Sequence, residues 1–190
     1  MQAAPASPSG LSATAAGSSQ INLAWTDNAS NEQNYVVARG TVSGGPYTDI
    51  ATLAANTTSY SSTGLAPGTT YYYVVRATNG GGASANSNQA NATTVQVPPA
   101  APSNLAATAV SATQMNLTWT DNSSNEANFV VEYKKSTASN WTTVTRPANT
   151  TSYSVTGLSR NTNYNFRVKS VNSAGSSAYS NTVTKKTLIL

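Results

Sequence analysis

Short runs of alternating apolar and polar residues recur along the whole chain. Ile21, Leu23 and Trp25 are separated by Asn22 and Ala24, and Met115, Leu117 and Trp119 by Asn116 and Thr118. Tyr71, Tyr73 and Val75 alternate with Tyr72, Val74 and Arg76. Tyr164, Phe166 and Val168 alternate with Asn165, Arg167 and Lys169. A period of two is the pattern of a strand with one buried face. Turn formers separate the runs: Asp27-Asn28, Gly44-Gly45-Pro46, Gly64, Pro67-Gly68, and Asn79 through Gly82. No stretch of helical length carries apolar residues at spacings of three and four. Short strands joined by regular turns predict an all-β antiparallel sandwich.

The pattern occurs twice. Pro8–Arg39 aligns with Pro102–Tyr133 with 19 of 32 positions identical, and Asn56–Asn88 aligns with Asn149–Asn181 with 18 of 33 identical. The offset falls from 94 to 93 residues between these blocks, so one residue is lost near Pro147. Two tandem domains follow, 1–97 and 98–190. Residues 98–101 of the proline-rich join Val97-Pro98-Pro99-Ala100-Ala101-Pro102 are expected as a semi-rigid linker. Val95 and Val97 read as an extension of the last strand, and Leu188 and Leu190 take their places in the second copy. At least one of that second pair is expected to pack on its domain.

Composition narrows the chemistry. Ala, Thr, Ser and Asn supply 104 of the 190 residues, and only 8% are charged. Cysteine and histidine are both absent. That rules out zinc sites built on thiolates or imidazoles, and Ser-His-Asp or Cys-His nucleophiles. No catalytic, cofactor-binding or metal-ligating residue is expected. No apolar run approaches the roughly 18 residues of a membrane helix, so no membrane insertion is expected. The first ten residues are polar, small and proline-rich, so the sequence reads as a mature segment or one lacking its export segment.

Charge divides unevenly. Up to Val97, Arg39 and Arg76 face Asp27, Glu32 and Asp49. Beyond it, Lys134, Lys135, Arg146, Arg160, Arg167, Lys169, Lys185 and Lys186 face only Asp121, Glu126 and Glu132. The charges are few and no basic run exceeds two residues, so nucleic acid is not expected as a partner.

Several elements, in order and in both copies, resemble the fibronectin type III family. A Trp sits late in the second strand (Trp25, Trp119). An aromatic-Val-Val segment opens the third (Tyr35-Val36-Val37, Phe129-Val130-Val131). Thr-Gly-Leu is followed six residues on by Tyr, from Leu65 to Tyr71 and from Leu158 to Tyr164. The last of these resembles the family's tyrosine corner, in which the hydroxyl bonds back to upstream backbone. The resemblance implies two seven-stranded, immunoglobulin-like sandwiches, each with four strands in one sheet and three in the other. The family's Arg-Gly-Asp adhesive signature is absent, so integrin binding does not carry over.

Asp27-Asn28-Ala29-Ser30-Asn31-Glu32 and its repeat Asp121 to Glu126 are rich in oxygen ligands. They lack the alternation of a calcium loop and offer two carboxylates each, so turn chemistry is the expected use. Val36, Ala38, Tyr72 and Val74 fall on outward positions of the third and sixth strands and are expected to form an exposed apolar contact patch. Lys134, Arg167 and Lys169 form a basic face on the second copy. They are either a solvated surface or a docking site for an anionic partner. Tyr47, Tyr72, Trp141 and Tyr179 are the aromatics available for sugar stacking. Taken together, these features point to a non-catalytic, extracellular or cell-surface spacer pair. Its partners would be other domains of a parent protein or copies of itself, with polysaccharide as a further candidate. The alternatives are a self-assembling subunit of a surface fibre and a polysaccharide- or cell-surface-binding accessory module.

Overall fold

A strand with one apolar face needs a second such face to cover it. In the computed structural model, which describes residues 2–189, the alternating runs are strands, and the described residues contain no helix. The chain divides into two compact units, Met1–Gln96 and Val97–Leu190. The first holds β1 (Ser9–Ala15), β2 (Ile21–Thr26), β3 (Asn34–Gly40), β4 (Thr48–Ala54), β5 (Ser59–Ser62), β6 (Thr70–Asn79), β7 (Gly82–Ala83) and β8 (Ala90–Thr93). The second repeats the set as β9 (Ser103–Ala109), β10 (Met115–Thr120), β11 (Asn128–Lys135), β12 (Thr142–Pro147), β13 (Ser152–Val155), β14 (Asn163–Asn172), β15 (Gly175–Ser176) and β16 (Val183–Lys186).

In the first unit β1-β2-β5 form one antiparallel sheet and β4-β3-β6 the other, with β7 and β8 both pairing with β6. β7 and β8 are two pieces of one interrupted last strand, so three strands face four. The second unit has the same topology. Ile21, Leu23 and Trp25 meet Tyr35, Val37, Tyr73 and Val75 in the first core, and Met115, Leu117 and Trp119 meet Phe129, Val131, Phe166 and Val168 in the second. Trp25 tilts against Tyr35 at 5.8 Å and Trp119 against Phe129 at 5.7 Å. Burying each such side chain contributes about 1.5–3 kcal/mol.

Side chains close the gaps that the strands leave. Between β7 and β8, the Ser84 and Ser87 hydroxyls accept the backbone N–H groups of Ala77 and Val75, both at 3.0 Å. Ser177 and Ser180 do the same for Ser170 and Val168 at 3.0 and 3.1 Å. The hydroxyls stand in for strand carbonyls. The β1–β2 register breaks between Ser9 and Ser12, where Gly10 has φ 62°. Asn88 reaches across from the other sheet to pair both backbone groups of Leu11 at 2.9 Å. Asn104 replaces Gly10 with φ 53°, and Asn181 pairs Leu105 in the same way. Gly and Asn are the residues that tolerate this left-handed backbone.

The corner forms in both units. Tyr71 Oη accepts from Ala66 N at 3.1 Å and Tyr164 Oη from Ser159 N at 3.0 Å. Buried Thr94 and Thr187 donate to Ala66 O and Ser159 O at 2.6 and 2.7 Å, tying the exit of each unit to its corner. The last strand does not run on to Val95 and Val97. It ends at Thr93, and Val95 N bonds Gly17 O while the residue is 53% exposed. Leu188 likewise bonds Ser111 O through its N–H and is 43% exposed, so backbone rather than side chain holds it. Leu190 lies outside the described residues.

The units differ by two coordinated exchanges. The Tyr35 hydroxyl donates to Asp27; in the second unit Phe129 has no hydroxyl, and Ser123, in the place of Ala29, lies 3.3 Å from Asp121 while its one proton goes to Glu126. Arg39, Ser62 and Tyr73 cluster in the first unit, with Arg39 Nη1 3.3 Å from Ser62 Oγ. Tyr133, Val155 and Phe166 take all three places in the second.

Candidate functional site

The oxygen-rich loops spend their side chains on structure. Asp27 accepts from Ala29 N and Tyr35 Oη, and Glu32 accepts from Asn56 N. Asp121 accepts from Ser123 N, and Glu126 from Asn149 N and Ser123 Oγ. Burial alone would raise the Glu126 carboxyl. Bonds from Ser123, its own backbone and Asn149 outweigh that and hold it below the usual glutamate range. Among the described residues no three metal-ligating side chains come together.

The loop asparagines hold incoming chain. Asn31 and Asn79 both donate to Ala3 O, at 3.2 and 2.9 Å. Asn125 and Asn172 both donate to Val97 O, at 3.0 and 2.8 Å. Ser170 Oγ donates to Ala100 O and Asn122 Nδ2 to Ala101 O. Pro99 is buried, as Pro5 is. Residues 98–101, expected as a linker, are therefore tied into the second unit by hydrogen bonds.

The expected apolar patch is not an exposed one. Val36, Ala38 and Val74 are only 8%, 2% and 5% exposed, and Tyr72 is half-buried. Arg76 on β6 and Asp49 on β4 meet at 2.6 Å, so the ion pair bridges over the intervening β3 that carries Val36 and Ala38. Gly40 lacks a side chain where a Cβ would come within 2.6 Å of Pro46 O, so the β3–β4 loop sits against this face. Tyr47 Oη then reaches Gln89, between β7 and β8. Alternation placed these residues outward; it carries no information on what loops and ion pairs lay over them.

Lys134, Arg167 and Lys169 do share one face. The Arg167 guanidinium lies 4.1 Å from the Trp141 ring centroid and 3.8 Å from that of Tyr179. It also pairs with buried Glu132 at 2.6 Å, and Tyr179 Oη donates to Glu132 at 2.9 Å. Lys134 approaches Trp141 and Lys169 approaches Tyr179, each at 5.1 Å. Two of the four rings named for sugar stacking, Trp141 and Tyr179, are thus stacked on the protein's own cations, an arrangement worth about 0.5–2 kcal/mol per contact. Of the three cations, Arg167 has its charge offset.

Comparison with known proteins fits this geometry. Over 192 aligned residues the chain is 34% identical to Chitinase A1 of Niallia circulans; the match takes in 97% of this chain and 26% of that protein, so the chain spans about a quarter of that relative's length. A two-domain fibronectin type III segment of chicken tenascin superposes with a TM-score of 0.54 at 19% identity, over 95% of this chain and 99% of that one. The chicken CNTN1 FN1–FN3 domains give a TM-score of 0.49 at 20% identity, over 98% of this chain and 68% of that one. The family model for the fibronectin type III domain matches residues 6–93 and again 100–186. With the corner tyrosines, the core tryptophans and the three-on-four topology repeated in each matched stretch, the chain belongs to the fibronectin type III family and consists of two tandem domains of it.

Proposed function

We propose that this pair is a non-catalytic spacer within an extracellular or surface protein, separating other domains. The observation that carries the reading is that the loop carboxylates of both units, and Trp141 and Tyr179 of the second, are engaged by the protein's own groups. The loop carboxylates bond their own backbone, and Trp141 and Tyr179 stack on Arg167. Neither a poised acid and base nor a free aromatic row is left for a substrate. The bacterial chitinase supports the setting, because the chain matches only 26% of it and leaves room there for other domains. Self-assembly through Val36, Ala38, Tyr72 and Val74 loses its footing, since three of the four are covered.

Two measurements test the reading. The isolated chain should not be retained on insoluble chitin. Placed between a catalytic and a chitin-binding domain, it should support faster digestion of insoluble polymer than a Gly/Ser linker of equal length, with soluble-substrate turnover unchanged. Retention of the isolated chain on chitin would overturn the proposal, as would equal performance of the flexible linker.

A further inference from the structure

The basic residues of the second unit gather at one end. β11 pairs with β14 so that Lys135 faces Tyr164, and β14 pairs with β16 so that Tyr164 faces Lys185. One row further out, Ser136 N bonds Asn163 O, and Asn163 faces Lys186. One row inward, Lys134 faces Asn165. Arg160 precedes Asn161, whose N–H bonds Leu188 O just beyond Lys186. Five cations thus collect where β11, β14 and β16 meet the corner loop. Lys135, Arg160, Lys185 and Lys186 are exposed.

None of the five is in an ion pair among the described residues. Of the unit's carboxylates, Glu132 is committed to Arg167, while Asp121 and Glu126 lie in the β10–β11 loop at the other end. The fold does not require this cluster. The first unit carries Gly40, Thr41, Pro67, Ala92 and Thr93 at the matching places. Strands in a sheet lie about 4.8 Å apart. Side chains alternate along a strand, so Lys135 and Lys185 project on the face of Tyr164, with their strands two spacings or roughly one Debye length apart, while Lys134 and Lys186 rim the opposite face and Lys134 Nζ donates to Ala138 O. Beside them opens a cleft of about 340 Å³, lined by Tyr133, Asn140, Thr142, Thr156, Gly157 and Tyr164. Its hydroxyl and amide groups suit sugar hydroxyls.

We propose that this end of the second unit binds a carboxylate-bearing polysaccharide. Ring carboxylates would pair with Lys135, Arg160, Lys185 and Lys186, and a neighbouring ring would enter the cleft. The proposal does not rest on the spacer reading, which is tested on neutral polymer.

The test is affinity electrophoresis of the full chain in polygalacturonate at about 0.1 M salt, with the methyl-esterified polymer as the uncharged twin. The chain should bind the acid form and not the ester, and added salt should weaken binding steeply. The triple variant Lys135→Gln, Lys185→Gln, Lys186→Gln should bind roughly tenfold more weakly. Lys169→Gln, outside the cluster, should bind as the parent does. The triple variant should leave the melting temperature unchanged, because Lys135, Lys185 and Lys186 are exposed and in no ion pair among the described residues. Failure to bind the acid form, equal binding to the ester, or equal loss in Lys169→Gln overturns the proposal. Tighter binding to single-stranded DNA than to polygalacturonate overturns it in favour of nucleic acid.

Discussion

The Ser87 hydroxyl accepts the N–H of Val75 where the last strand breaks, in a position that backbone would otherwise fill. Ser87→Ala leaves that donor unpaired and should cost about 1–3 kcal/mol, with faster hydrogen exchange at Val75 as the local readout. Tyr35 and Ala29 offer a cleaner comparison, because the second unit carries Phe129 and Ser123 there. Tyr35→Phe should destabilise by removing the donor to Asp27, and Ala29→Ser should stabilise by giving the buried, unpartnered Glu32 Oε2 a donor, as Ser123 gives Glu126. Measured by chemical denaturation the two effects should add, because the hydroxyls serve different carboxylates. Glu126 sets a pH dependence of defined sign. Its folded value is depressed, so its contribution is full above the unfolded glutamate value of about 4.3 and is lost as pH falls through the folded value. Acid unfolding of the second unit should shift to higher pH in Ser123→Ala, which removes one of the bonds holding the carboxylate charged.

Strands with one buried face were legible from alternation alone, and the corner was marked by the resemblance of the Leu65–Tyr71 and Leu158–Tyr164 segments to the family's motif, whose hydroxyl bonds the structure shows. The break between β7 and β8 was not legible. Ser84, Ser87 and Asn88 read as turn or strand formers, and their pairing with Ala77, Val75 and Leu11 depends on contacts across the fold. The burial of Val36, Ala38 and Val74 was hidden for a similar reason, since Arg76 and Asp49 come together across a strand that lies between them only in space. The five-cation end was visible only as an excess of charge; strand pairing was needed to bring Lys135, Lys185 and Arg160 together. Clusters that changed together carry their own test. Moving Arg39 or Ser62 singly to Tyr or Val should destabilise the first unit by breaking their bond, whereas adding Tyr73→Phe, which removes a buried hydroxyl without a hydrogen-bond partner, should recover part of the loss. Burial pushes the Tyr73 phenol above its ordinary value against the pull of Ser62 and Arg39. The single change Ser62→Val should therefore raise that phenol further, which an alkaline absorbance titration would read.

Each unit has its own core, its own corner and its own tied-down entry strip. Calorimetry should therefore resolve separate responses. Tyr71→Phe should lower the transition of the first unit and Tyr164→Phe that of the second, each by about 1–3 kcal/mol. A shift of both transitions by either change would show one cooperative block. The broken last strand has a further consequence for a chain built from near-copies. Adjacent domains of similar sequence are the readiest partners for each other's misfolding, because a strand of one can complete the sheet of its neighbour during synthesis. Here the outer edge of the larger sheet offers such a strand only short template segments, β7 and β8. Between them the chain turns its serine hydroxyls inward, and Asn88 or Asn181 anchors it to the opposite sheet. A module whose last-strand edge is closed in this way offers its tandem copy one template fewer for strand exchange, leaving β4, β1 and β5 as the edges.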